Sequence, residues 1–135
     1  MSGGIGDYRW LNNYIGLPYA FGGRDRKGVD CYGLIRLIFE NEYQIQLPDW
    51  QFDEINLKLI NDEIQGQVTS GDFEEIDGPE DGCFAICVRV RAAHHMGLCF
   101  AGGVIHAQEK SGVIFQPVRV FESKFKKVIY GDWTP

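Results

Sequence analysis

The chain has 135 residues, 44% of them hydrophobic and 13% aromatic. That length and composition fit one compact domain, residues 1–135, with a core of its own, and exclude a disordered tail. Lys+Arg 13 against Asp+Glu 19 leaves a net charge of −6, which argues against nucleic-acid binding through a general basic surface.

No run of about 20 apolar residues is present to span a bilayer, so no membrane insertion is expected. The opening MSGGIGDYRW lacks the basic start and apolar core of a secretory signal. Synthesis and folding in a cytosol are therefore expected, with the four cysteines kept as thiols.

In chain order, residues 8–14 read as a short helix with Tyr8, Leu11 and Ile15 inward, ended by Gly16 and Pro18. The following AFGGRDRKG carries three glycines and four charges and reads as an exposed loop. From Cys31 the pattern turns helical: Leu34, Ile35, Leu37 and Ile38 share a face as far as about Tyr43, with Asp30 as N-cap. Leu47-Pro48-Asp49 breaks the chain, and FDEINLKLINDEI then spaces Phe52, Ile55, Leu59 and Ile60 as a second amphipathic helix. Residues 66–82, rich in Gly, Asp and Glu, read as loop. Thereafter the period shortens to two. CFAICVRVR alternates Phe84, Ile86, Val88 and Val90 on one side with Arg89 and Arg91 on the other. HMGLCF, GVIHAQ, GVIFQPV and KVIYGDW continue as short strands separated by glycine-containing turns. The basic clusters Arg24-Asp25-Arg26-Lys27 and Lys124-Phe125-Lys126-Lys127 read as solvated turns or strand ends. Helices first and strands afterwards give an α+β fold, N-terminal helices packed on a C-terminal antiparallel β-sheet.

In GVDCYGLIRLIFE a cysteine stands at the mouth of an apolar run rather than inside it, a place for a sulfur exposed for chemistry. A thiol at a helix start meets the positive end of the helix dipole and unpaired backbone N–H groups, which favour thiolate. The same amides can hold an oxyanion. Asp30 opposes the thiolate unless its carboxylate is engaged in capping, and packing beneath a helix start is the structural alternative for Cys31. Cys83, Cys87 and Cys99 lie in strand-like runs and read as small apolar side chains. Cys83 and Cys87 do not form a paired CxxC, and the histidines lack further ligands at metal-binding spacing, so neither metal nor other cofactor is expected.

A nucleophilic cysteine needs a base, and the histidines are His94, His95 and His106. If their strands form a hairpin, parity governs which rings meet. A four-residue loop, 99–102, sets His95 opposite His106. A tight Gly102-Gly103 turn keeps both on one face but four positions apart. An odd loop favours His94 unless a bulge intervenes. Spacing alone leaves these choices open, and leaves the paired histidines open as structural or catalytic.

Two blocks resemble one family. YIGLPYAFGGRDRKGVDCYGLIRLIFE is similar to the opening of the NlpC-type cysteine peptidases, the p-sixty cell-wall hydrolases, in which a Pro-Tyr-x-Tyr/Phe-Gly-Gly loop leads to Asp-Cys. GPEDGCFAICVRVRAAHHMGLCFAGGVIHA resembles their second block, ending in His-x-Gly and Ile-His-Ala. The resemblance implies a papain-like fold with Cys31 as nucleophile, His95 as general base and His106 orienting that base. It implies substrate or oxyanion contacts at Tyr19, Asp30 and Tyr32, and a loop brought close to the cleft by Gly22 and Gly23. Two departures stand out. Tyr32 replaces the serine commonest after the nucleophile, as in the phage-tail branch of the family. The His95 to His106 interval is one residue short, which His94 would restore although the following Met-Gly favours His95. The implied substrate is a peptidoglycan stem peptide, the partners phage tail-tip proteins, and the location a virion tail after synthesis in the host cytoplasm. A tail protein keeping the fold without the activity is the competing expectation.

Overall fold

The computed structural model describes residues 7–49, 73–89 and 92–133. The chain opens with a 3-10 helix, Arg9–Asn13, and a small hairpin of β1 (Arg24–Asp25) and β2 (Gly28–Val29). The helix α1 (Cys31–Tyr43) follows. Then come β3 (Phe73–Ile76), β4 (Phe84–Arg89), β5 (Ala92–Phe100), β6 (Gly103–Gln108) and β7 (Gly112–Pro117). A short helix α2 (Val118–Ser123) precedes β8 (Lys127–Trp133). The last six strands form one antiparallel sheet in the order β3-β8-β4-β5-β6-β7. This is the expected α+β arrangement.

Alternation along the strands buries both faces of the sheet. Phe84, Ile86, Met96, Leu98, Phe100, Ile105 and Val113 pack with Leu34, Ile35 and Ile38 of α1. The opposite face carries Cys83, Ala85, Cys87, Cys99 and Val104 beneath Phe121 of α2 and Tyr130. Cys83, Cys87 and Cys99 thus serve as small apolar side chains, and all four cysteines are free thiols.

Several expectations change. Tyr14, not Ile15, is the second inward residue of the opening turn: Tyr14 is 1% exposed and Ile15 41%. The tighter winding of a 3-10 helix, three residues per turn, places positions 11 and 14 on one side. The segment AFGGRDRKG is a hairpin, its turn at the exposed Arg26 and Lys27. Part of the acidic stretch read as loop is the strand β3, paired to β8. GVIFQPV stops as a strand at Pro117, which begins α2 by fixing its backbone just before the first turn. The expected helix around residues 52–60, and Val90 and Arg91, lie outside the described residues.

Candidate active site

Asp30 fixes the start of α1. Its Oδ1 accepts the Gly33 backbone N–H at 2.7 Å and an N–H of Arg24 at 2.8 Å, and its Oδ2 accepts the Gly22 N–H at 3.1 Å. One carboxylate therefore caps the helix and ties the glycine loop to it. The loop lies against the helix so closely that a Cβ on Gly33 would stand 1.9 Å from the Gly23 carbonyl oxygen. Pro18 and Ala20 bond to Val29 on either side of Tyr19, which brings the Tyr19 side chain to the cleft beside Cys31.

The cleft encloses about 610 Å³, and its lining includes Tyr19, Asp30, Cys31, His94, His95, Glu109 and Phe125. Phe21, 93% exposed, stands on the rim and offers an apolar surface to anything that enters. Cys31 faces this space yet is only 8% exposed, so the sulfur is recessed and not freely exposed as its position in the sequence suggested. Burial, and then the charge of Asp30, push its thiol up to about 12. The backbone N–H groups of Met96, Tyr32 and Cys31 itself act the other way without overcoming them. The resting sulfur is a thiol, because a helix start cannot offset both desolvation and an adjacent carboxylate.

The histidines are sorted by strand register. β5 and β6 join through a two-residue turn, Ala101-Gly102, both at positive φ (51° and 75°). This is neither of the turns anticipated. Ala101 is held in its unfavourable conformation with its N–H donated to Asp81 Oδ1 at 2.9 Å. The resulting register, Leu98 opposite Ile105, makes His95 and His106 diagonal neighbours on one face, a separation aromatic rings can bridge. His95 Nε2 lies 2.8 Å from His106 Nδ1. Gly97 permits this approach, since a Cβ there would come within 3.1 Å of the His106 Cβ and 2.9 Å of the Ile105 carbonyl oxygen.

His94 occupies a bulge. Cys87 pairs with His95 and Val88 with Ala93, leaving His94 as the extra residue. Its Nδ1–H donates to the Cys87 carbonyl at 3.1 Å, and its exposed ring meets Phe125 edge-on. His95 instead stacks on Phe125 at 5.7 Å and 22°, while fully buried His106 meets Phe121 at 4.8 Å. Burial, reinforced by the neighbouring histidines, pushes His95 down to about 3. Burial also lowers His106, against a contact between its Nε2 and Gln116 Oε1 at 2.9 Å.

Tyr32 departs from its expected place at the substrate. It is 2% exposed, donates its hydroxyl to the Pro48 carbonyl at 2.7 Å, and lies under the Arg24 guanidinium. Position 32 sits on the flank of α1 turned to the 47–49 segment, so a bulky aromatic there supports the loop and not the cleft. Among the described residues no group of three or more His, Cys, Asp or Glu side chains is placed to hold a metal ion. No described helix is long and apolar enough to cross a membrane. Sequence reasoning missed Gln116, Phe121 and Phe125. The one available signal was a polar residue at an even interval from Ile114 within an apolar strand.

Both the sequence and the fold have relatives among known proteins. A segment of the protein described as "Probable endopeptidase NlpC" of Escherichia coli strain K12 is 40% identical over 38 residues, 28% of this chain and 25% of that relative. A "Probable endopeptidase" of Haemophilus influenzae is 26% identical over 109 residues, 77% of this chain. The chain spans only 25% and 58% of the lengths of these two relatives. The fold matches the crystal structure of the NlpC/p60 domain of the peptidoglycan hydrolase SagA with a TM-score of 0.62, covering 90% of both chains at 20% identity. It also matches an NlpC/P60 family protein of Bacillus cereus ATCC 10987 with a TM-score of 0.65, over 92% of this chain and 38% of the other at 17% identity. The model of the NlpC/P60 family matches residues 16–132, and the chain belongs to that family.

Proposed function

We propose that this chain is a cysteine endopeptidase that cuts an amide bond in the stem peptides of peptidoglycan. The observation that carries the reading is the convergence of Cys31 and His95 on one cleft, with His106 bonded to the back of the His95 ring at 2.8 Å. Family membership, and the endopeptidases and peptidoglycan hydrolase among the relatives, support it.

With burial holding Cys31 as thiol and His95 as neutral imidazole, the proton moves during attack. Cys31 Sγ forms its bond to the carbonyl carbon while its proton passes to His95 Nδ1, and the carbonyl π electrons go to oxygen. Backbone N–H groups at the start of α1 stabilise that oxyanion. On collapse the C–N bond breaks, and His95 gives its proton to the departing amine. Water then attacks the thioester with His95 as base, releasing the acid and restoring the thiol. His106 accepts the His95 Nε2–H throughout and keeps the ring aimed. Tyr19 and Asp30, on the same cleft, are the substrate-side polar groups. The scissile bond we assign is that between the D-glutamyl and diamino-acid units.

The setting we propose is a phage tail tip, where Asp30-Cys31-Tyr32-Gly33-Leu34 resembles the tail-associated branch and local wall opening would accompany DNA entry. A defined muropeptide incubated with the protein should yield two fragments split at that bond, and Cys31→Ala should abolish them. An intact muropeptide with the unmodified protein would sink the peptidase reading in favour of a structural tail protein. Purified virions lacking the chain would remove the tail setting alone.

A further inference from the structure

We propose that Gln116 is a positioning residue that sets the tautomers of the two paired histidines and thereby leaves the cleft-facing nitrogen of His95 free to act as a base. The inference concerns the same site and rests, for its catalytic meaning, on the peptidase reading above.

β6 and β7 pair with His106 opposite Ile114 and Val104 opposite Gln116. Gln116 is therefore the diagonal neighbour of His106 on the same face, and its Oε1 lies 2.9 Å from His106 Nε2. An amide oxygen can only accept, so His106 carries its proton on Nε2. His106 is wholly buried and cannot turn to water for another partner. A neutral imidazole has one N–H, so His106 Nδ1 is bare. At 2.8 Å from it, His95 Nε2 must bring a proton, because two lone pairs cannot face each other at that distance. His95 is thus the Nε2–H tautomer, and its Nδ1 is the bare nitrogen.

The reverse orientation has the opposite consequence. Were the Gln116 amide to present its NH2, His106 would hold its proton on Nδ1 and His95 would be forced to hold its own on the side of the nucleophile. Such a ring cannot take the Cys31 proton. A carboxylate at 116 would enforce the useful tautomer too, but it would draw positive charge onto His106. The neutral amide orders the pair without doing so.

Nitrogen-15 NMR of the histidine-labelled protein separates protonated from bare ring nitrogens and reads the arrangement without any substrate. The expected pattern is one N–H at Nε2 of His95 and of His106, with both Nδ1 atoms bare. Gln116→Met removes the acceptor at similar size. It should mix the tautomers at both rings and lower the peptide-cleavage kcat by about 10- to 100-fold with little change in KM. Gln116→Glu, which keeps an acceptor, should restore the single pattern and most of the rate at alkaline pH, where His106 is neutral despite the carboxylate. A bare Nε2 on His95 in the unmodified protein, or an unchanged pattern in Gln116→Met, would overturn the proposal. If Gln116→Met fails to fold, the spectra of the unmodified protein and of Gln116→Glu still decide, the latter failing the proposal if its tautomers are mixed. The expected pattern in a protein that cleaves no muropeptide would sink the peptidase reading and leave the tautomer assignment standing.

Discussion

The two halves of the site are held by different kinds of force. On the cysteine side, charge does the holding: Asp30 serves two backbone amides and Arg24, and Arg24 and Arg36 both reach Asp49. On the histidine side the chain Gln116–His106–His95 carries no carboxylate, and Phe121 and Phe125 wall it in. Charged groups thus lock backbone at the edge of the cleft, while the paired histidines lie against aromatic rings with no carboxylate bonded to them. The difference has a chemical use. A carboxylate behind His95 would favour imidazolium, whereas a neutral histidine orients the ring that the proposed mechanism uses as base without adding charge to it.

The sharpest way to break this comparison is to remove each of the adjacent histidines in turn. His95→Ala should lower peptide cleavage about 10²- to 10⁴-fold, the range of a lost general acid–base group. His94→Ala removes a ring that is exposed on the bulge and hydrogen-bonded to the Cys87 carbonyl, not to His106, so the rate should stay close to that of the unmodified protein. Equal losses would return the choice of base to His94. On the charged side, Gly33→Ala drives a Cβ into the Gly23 carbonyl, backbone against backbone, and should cost about 3 kcal/mol in denaturant unfolding. An unchanged midpoint would mean that the loop does not lie on the helix as described.

Asp30→Asn separates the carboxylate's charge from its shape. The amide can still accept a backbone N–H but loses the ion pair to Arg24, so stability should fall by about 1 kcal/mol. The Cys31 thiol should ionise more readily, because the charge of Asp30 is the second cause of its raised pKa after burial. Alkylation of Cys31 at mildly alkaline pH should therefore quicken in the weakened protein. Slower alkylation would show that Asp30 acts on the sulfur through geometry alone.

How much of this was legible in the sequence depended on whether the signal was local. The N-cap at Asp30, the face of Leu34, Ile35 and Ile38, and the alternation of Phe84 and Ile86 are local, and each stands as expected. The hairpin register was not legible, because Ala101 occupies a positive-φ position that propensity assigns to glycine, with its N–H held by the distant Asp81. Nor was the bulge at His94, which depends on what β4 presents. The balance at the Cys31 thiol was legible only in part for the same reason: dipole, amides and the opposing Asp30 are visible along the chain, but desolvation is a property of the packed molecule. Gln116 was hidden because its partner is ten residues away on another strand.

The smallest effect concerns pH and tests the neutrality of the histidine side directly. An unfolded chain takes up protons at these imidazoles as pH drops through about 6.5. The folded chain resists, since burial holds His95 down to about 3 and lowers His106 as well. Below about pH 6.5 the unfolded state therefore binds more protons, and the stability contributed by neutral burial, complete above that pH, drains away toward about pH 3. Urea midpoints should fall between about pH 7.5 and about pH 5.5, and His95→Asn should flatten the slope. The cleavage rate of the protein that remains folded should show no limb near 6.5 over the same interval, because His95 stays bare throughout. A rate that instead halves near pH 6.5 would mean that His95 titrates like an exposed imidazole, and the contrast between a charged edge and a neutral interior would fail at the residue on which it most depends.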